Sequence, residues 1–358
     1  MHMDDNFRDE YGKIVNQALL AVNAYYFSHI EELSDAFRDS LEAACGQVRQ
    51  MQAQGYPSVE YMEITMLRTR LIQHDYRVPI MVYGSDWYAD LRQVQVGEID
   101  AGGIFSFFEK AMQAAVRPAK KYRTKLPESI LDYCLCSTAE YFWRYVSMAC
   151  RRAVMGLAIE GMELTKDFRV RVCEYMGYGF MCRRYTPAME PGERKEWFAK
   201  RKDGEYRFRD YRGLDFSGWD FSGLDLTGCD FSGCNLNGSN FTAADLTGAW
   251  FCDSAMKKVC LNEAWVPGAR FDRADLEEAV LEGARSSCKI NTELWVRPDL
   301  EPASFAGCCL KNTNFLFSAI ECADFSGADM EGTLFNHAHR EYYDMGGQQR
   351  EQARFFDY

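Results

Sequence analysis

Asp215-Phe-Ser-Gly-Trp219, Asp220-Phe-Ser-Gly-Leu224, Asp225-Leu-Thr-Gly-Cys229, Asp230-Phe-Ser-Gly-Cys234 and Asn235-Leu-Asn-Gly-Ser239 follow one another without interruption. Large apolar residues recur at every fifth position, from Phe216 through Phe221, Phe231, Phe241, Phe251 and Phe271 to Leu281. Five residues are no whole number of helical turns, and along a flat strand they alternate between faces. A chain that turns every five residues keeps them together, so the spacing predicts a solenoid with these rings inside. Glycine supplies the dihedral angles of a tight corner, and the Asp, Asn, Ser and Thr beside it bond neighbouring backbone groups.

A second run, Phe305, Leu310, Phe315, Ile320, Phe325, Met330 and Phe335, keeps the period one residue out of register with the first. An insertion over 286–302 explains the slip. Tyr206 and Tyr211 hold the same phase and begin the repeat, and the segment after Phe335 breaks it and is expected to cap the open end, where unpaired strand edges invite association.

This run resembles the pentapeptide-repeat family, whose members form a right-handed quadrilateral β-helix. The resemblance implies that the central Phe or Leu and the residue two before it point inward, that Asp or Asn faces solvent, and that four units make one coil. Twenty-one units then give about five coils and, at ~4.8 Å per strand, a rod of roughly 25 Å.

The whole chain has 358 residues, 47% of them apolar and 26% charged, with a formal charge of −12. That balance fits two globular domains and argues against direct nucleic acid binding. No apolar run is long enough for a membrane span, and no basic stretch followed by an apolar core opens the chain, so a cytoplasmic protein is expected. Fourteen cysteines are then reduced, with Cys229, Cys234 and Cys308 at small inward positions. Cys134/Cys136 and His337/His339 lack the second half of a zinc signature, and no metal or cofactor is expected.

The amino-terminal part reads as a mostly α-helical α+β domain with β-hairpins. A long amphipathic helix broken once spans 6–54, helices follow over 103–115 and 128–162, and hairpins join 61–71 to 77–83 and 168–175 to 180–185. Ile64-Thr-Met-Leu-Arg-Thr69 and Phe168-Arg-Val-Arg-Val-Cys-Glu-Tyr175 resemble an uncharacterised clostridial-type domain, a likeness that implies no activity. The predicted division is 1–186 for this domain, 187–205 for a linker rich in charge and proline, 206–340 for the β-helix and 341–358 for the cap.

Arg68, Arg70 and His74 form a candidate anion site on the first hairpin, with a solvated strand face as the alternative. Glu63, Asp86 and Asp90 add carboxylates. No Gly-rich phosphate loop, nucleophile elbow or zinc-protease helix motif occurs, which points away from an enzyme. On the repeat, Asp215, Asp220, Asp225, Asp230 and Asp245 stand outward, followed by Trp250 and Trp265, which mark either a covered face or a docking patch. Pentapeptide-repeat relatives that protect DNA gyrase are held to imitate duplex DNA. From 206 to 340 there are 20 acidic and 12 basic residues, a net −8, or about one charge per 3 Å against ~1.7 Å for duplex DNA. The leading expectation is a protein-interaction scaffold. The alternatives are a topoisomerase modulator or an enzyme accessory with its site around Arg68. Tyr342, Tyr343, Phe355, Phe356 and Tyr358 serve to seal the last coil or to pair two chains as a homodimer.

Overall fold

The computed structural model describes residues 4–89, 92–127, 129–175, 179–185, 190–200, 204–286, 301–338, 343 and 345–357. These fall into two compact units that divide between Arg183 and Arg184.

The amino-terminal unit begins with helices α1 (Asp5–Ser28) and α2 (Ile30–Gln52). Asp4 starts the first by accepting from the Asn6 and Phe7 N–H groups at 3.2 and 3.3 Å, which satisfies donors that have no intrahelical partner. The single break falls at His29, whose φ of −125° leaves the helical region. Strand β1 (Val59–Met66) is followed by the short helix α3 (Arg68–Ile72), β2 (Arg77–Tyr83), β3 (Val94–Asp100), α4 (Gly102–Lys121), α5 (Ile130–Ala153), β4 (Leu164–Glu174) and β5 (Gly179–Arg184). The strands form one sheet in the order β3-β2-β1-β4-β5. The pair β1/β2 is antiparallel with Tyr61 opposite Tyr83, and β1/β4 is parallel with Glu63 opposite Arg171. Met62, Ile64, Val78, Ile80 and Val82 are buried from one face of this sheet, and Glu63 and Thr65 are buried from the other face of β1.

Three expectations are corrected here. The first strand stops at Met66, and Arg68 and Arg70 lie on α3 rather than on a strand face. The chain closes α3 with Asp75 N–H to Arg70 O at 2.9 Å and His74 N–H to Leu71 O at 3.1 Å, the two bonds that end a helix at a left-handed residue. Strand β3, which pattern reading passed over, pairs with β2. Helix α5 ends at Ala153, well before 162, because the chain reaches Gly156 at φ 81° and cannot continue helically. Parts of the expected second hairpin turn (176–178), together with Asp90, lie outside the described residues.

In the carboxyl-terminal unit each outward residue forms a parallel bridge with the one twenty positions on. Asp210, Asp230, Trp250 and Arg270 make one such column, which resumes at Ser304 and Asp324, and three more begin at Asp215, Asp220 and Asp225. The columns are tied by backbone bonds such as Phe231 N–H to Trp250 O at 2.7 Å and Trp250 N–H to Cys229 O at 2.8 Å. Short strands β6 (Arg285–Ser286) and β7 (Ala319–Ile320) extend the fourth column. Inside, Phe231, Phe251, Phe271, Phe305 and Phe325 stack at centroid separations of 5.2, 5.0, 4.8 and 5.2 Å. Phe221 on Phe241 and Phe315 on Phe335 begin and end a second column. The inward cysteines do more than fill space. The thiols of Cys229, Cys234 and Cys308 donate to the carbonyls of Tyr206, Tyr211 and Phe271 at 2.8, 2.9 and 2.7 Å.

Every corner has the same geometry. Trp219 N–H bonds Phe216 O at 3.0 Å around Gly218 at φ 68°, a type II turn whose third residue must be left-handed. Ala243, Lys258 and Glu278 adopt that conformation without being glycine. Two substitutions separate backbone strain from packing. Gly218→Ala, where an added Cβ meets nothing within 4 Å, is expected to cost about 1 kcal/mol. At Gly228 the Cβ falls 2.3 Å from the Phe208 ring, so Gly228→Ala is expected to cost a further ~1–3 kcal/mol, measured as the difference between the two midpoints of urea unfolding.

Both ends of the solenoid are covered. Within the segment read as a linker, residues Pro191–Ala199 form helix α6. Its Phe198 is buried against Tyr206 and Phe221, with centroids at 5.0 and 5.1 Å. The physical reason is the exposed first coil, whose rings need a lid more than the chain needs slack. At the other end β9 (Arg354–Phe356) adds a parallel strand to β8 (Leu334–Asn336), helix α7 (Gly347–Gln352) precedes it, and Tyr343 is buried against Phe335 at 4.9 Å. Residues 287–300 of the insertion lie outside the described residues.

Candidate interaction surface

The outward carboxylates of the repeat are largely committed to the backbone. Asp215, Asp220, Asp225, Asp230 and Asp245 accept the N–H group two residues on at 3.0, 3.0, 3.2, 2.9 and 3.0 Å, the Asx turn that pins each corner. The Ser217 N–H holds the Asp215 carboxyl below its usual value. Asp225 is also paired with Arg207 at 2.5 Å. Asp230 corrects the expectation of an outward acid, for it is only 1% exposed. Arg212 reaches over it, with Nε 3.7 Å from its carboxylate, and also grips Asp210 at 2.8 Å.

Further along the repeat, basic residues pair with acids of the neighbouring coil. Arg273 bonds Asp253 at 2.7 Å through two nitrogens, Lys257 bonds Glu277 at 2.6 Å, and Lys311 lies 3.2 Å from Asp329. Each pair is twenty or eighteen residues apart in sequence and adjacent in space.

Trp250 and Trp265 sit on neighbouring bridge columns. Trp250 is half-buried beneath the Arg270 guanidinium at 5.2 Å, whereas Trp265 is 36% exposed. Phe317, which pattern reading left out, is 53% exposed in a corner at φ 58°. It stands at the corner between the Asn314 and Ala319 bridges, and Ala319 continues the Trp265 column through Arg285, so Phe317 borders the side that carries Trp265. The signal for it was present: an aromatic residue at the corner position that glycine fills in most units.

In the amino-terminal unit, Arg68, Arg70 and His74 do not converge. Arg68 is held by Glu174 at 3.0 Å. Arg70 is held by Glu98 at 2.7 Å and by the Arg77 carbonyl at 3.0 Å. His74 is held by Glu109 at 2.8 Å. Each of the three side chains meets a different carboxylate.

The polar cluster that does form surrounds Glu63, which is fully buried on β1. Its carboxylate accepts from Trp87 Nε1 and Tyr88 OH at 2.9 Å, Arg171 Nη1 at 3.0 Å and Cys173 Sγ at 3.4 Å. Burial and then the neighbouring Glu63 push the Cys173 thiol up to about 12. Trp87, at φ 49°, lies between the Tyr61 and Tyr88 rings at 5.2 and 4.6 Å, with Arg171 over its ring at 4.8 Å. The acid in an otherwise buried strand was the available clue. Among the described residues no three metal-ligating side chains come together, and no helix is long and apolar enough to cross a membrane.

Residues 213–256 and 299–336 match a model of pentapeptide repeats in eight copies. The carboxyl-terminal unit is a pentapeptide-repeat domain. Among solved structures, a pentapeptide repeat protein from the Arabidopsis thaliana thylakoid lumen is similar at 28% identity over 39% of this chain and 74% of its own, with a TM-score of 0.24. Rfr23 from the cyanobacterium Cyanothece 51142 matches at 15% identity over 40% of this chain and 99% of its own, TM-score 0.31. QnrB1, a plasmid-mediated fluoroquinolone resistance protein, matches at 22% identity over 43% and 73%, TM-score 0.24. No curated protein matches. The family match lies wholly within the pentapeptide-repeat domain and leaves the amino-terminal resemblance without support.

Proposed function

We propose that the protein is a cytoplasmic, non-enzymatic scaffold. In this reading the pentapeptide-repeat domain is a right-handed quadrilateral β-helix of about five coils that presents a fixed surface to a protein partner, and the amino-terminal unit supplies a second contact. The observation that carries it is the pair of exposed aromatics, Trp265 on one side of the repeat and Phe317 bordering that side, on a backbone held by bonds in every coil. Aromatic anchors on a rigid face are what protein interfaces concentrate. The acidic excess of this domain favours a partner with a basic rim around an apolar centre.

Replacing Trp265 and Phe317 together by serine is expected to weaken partner capture by the full chain at least about tenfold, with the circular dichroism spectrum unchanged. Recovery of no specific partner by the unaltered chain, or equal recovery by both, removes the proposal.

The second reading, imitation of duplex DNA toward a type II topoisomerase, is supported by the net negative charge of the repeat. The ion pairs on Asp225 and Asp230 and those between coils further along weigh against it, because a mimic needs unpaired acids at phosphate-like density. A gyrase supercoiling assay decides between the two, and inhibition by the full chain would favour the mimic. Pairing of two copies through the carboxyl-terminal segment belongs to the same proposal, with half-exposed Phe356 as the contact.

A further inference from the structure

His74 occupies the residue after α3 in the left-handed conformation, φ 57°. This is the helix-closing position where glycine is the usual occupant, and a side chain there costs about 1 kcal/mol. The imidazole that bears this cost is fixed in place. Its Nδ1 lies 2.8 Å from Glu109 Oε2. Glu109, on α4, is held in turn by the Tyr76 hydroxyl on that oxygen and by Gln113 Nε2 on the other at 3.0 Å. Tyr76 is stacked on Phe105 at 5.1 Å. Burial alone would raise the Glu109 carboxyl, but the bonds from Tyr76 and His74 outweigh it and hold it below its usual value. It is therefore a carboxylate acceptor at neutral pH.

An acceptor at Nδ1 keeps the ring proton there and directs the Nε2 lone pair away from it. The His74 side chain is 59% exposed. Arg70 and Arg77 flank the connection that carries it, each already paired with a carboxylate, Glu98 and Asp75 respectively. The other described histidines differ. His29 Nδ1 meets Ser28 Oγ and the Tyr25 carbonyl, and His337 Nδ1 is 3.6 Å from Asp357, beyond a hydrogen bond.

We propose that His74 is a nucleophilic phosphoryl acceptor, with Glu109 as its positioning residue. The donor class is a phosphorylated amine or an acyl phosphate. Nε2 gives its lone pair to phosphorus and forms the N–P bond, while the bond from phosphorus to the donor breaks. The leaving group departs with that electron pair, as a carboxylate anion from an acyl phosphate or as a neutral amine from a phosphoramidate already protonated on nitrogen. The Nδ1 proton stays between the ring and Glu109, whose negative charge balances the ring.

The test exposes the full chain to potassium phosphoramidate and follows phosphohistidine by 31P NMR and peptide mass mapping. His74 is expected to be labelled at Nε2 about tenfold faster than His29 or His337, and Glu109→Gln to slow it by about the same factor through loss of a charge-assisted bond. His74→Gly is expected to remove that label while keeping or raising the melting temperature, since glycine suits the left-handed position. Labelling of His74 no faster than His337, or at an unchanged rate in the Glu109→Gln variant, overturns the proposal.

Discussion

Phe251→Ala is expected to lower the stability of the pentapeptide-repeat domain by about 3–5 kcal/mol, seen as a fall in the urea midpoint with the slope preserved. The ring is fully buried, lies parallel to Phe231 and Phe271 within 4°, and meets Phe241 edge-on at 5.7 Å. Truncation removes its transfer free energy, opens a cavity and breaks two stacked contacts at once. The neighbours are poorly placed to close that cavity, because each is pinned by backbone bonds in its own coil. Phe251→Leu keeps most of the volume and is expected to cost well under half as much. A loss below about 1 kcal/mol for the alanine variant would contradict a shared interior column.

The interior of the repeat was legible because its determinants are local and periodic. One residue in five must be large, a condition that Phe216 to Leu281 meet without a gap, and one in five must tolerate a corner, which glycine fills in the first units and Lys258, Arg273 and Glu278 occupy later. The amino-terminal unit was read less well because its determinants are distant in sequence. Helix α3 ends where it does through backbone bonds that depend on His74 turning left-handed, and a histidine advertises that far less than glycine would. Strand β3 contains Gly97, where an added Cβ would lie 3.4 Å from Ala44 and Ile80, so its fit comes from a close approach that no pattern in Val94–Asp100 reveals. The charged stretch containing α6 reads as linker because Trp197 and Phe198 are its only aromatic residues, yet those two rings decide where it goes. At the candidate surface Trp250 and Trp265 were found by their position in the period. The burial of Asp230 was hidden because Arg212, which covers it, belongs to the preceding coil.

Glu63→Ala is expected to destabilise the amino-terminal unit by about 3–5 kcal/mol. The carboxylate is the common acceptor for an indole, a phenol, a guanidinium and a thiol contributed by β4 and by the turn after β2. Without it, Arg171, whose side chain is 14% exposed, keeps its charge with no ionic partner, and Trp87 and Tyr88 lose the bonds that hold a left-handed tryptophan in place. The measurement is equilibrium unfolding by far-ultraviolet circular dichroism, with tryptophan emission reporting release of Trp87. The variant Glu63→Leu combined with Arg171→Met, which removes both charges, is expected to regain most of the loss. If the double substitution is as damaging as Glu63→Ala, the cost lies in packing and not in the stranded cation.

The covered ends of the solenoid have a consequence for how copies of this protein meet. A ladder of bridges with bare termini is a template on which identical molecules add indefinitely, as in fibril growth. Here Phe198 plugs the first coil, and the final one is closed by Tyr343 and a strand of only three residues. Elongation is blocked at the first coil and meets only a three-residue edge at the last, so any stacking of copies is confined to that short edge.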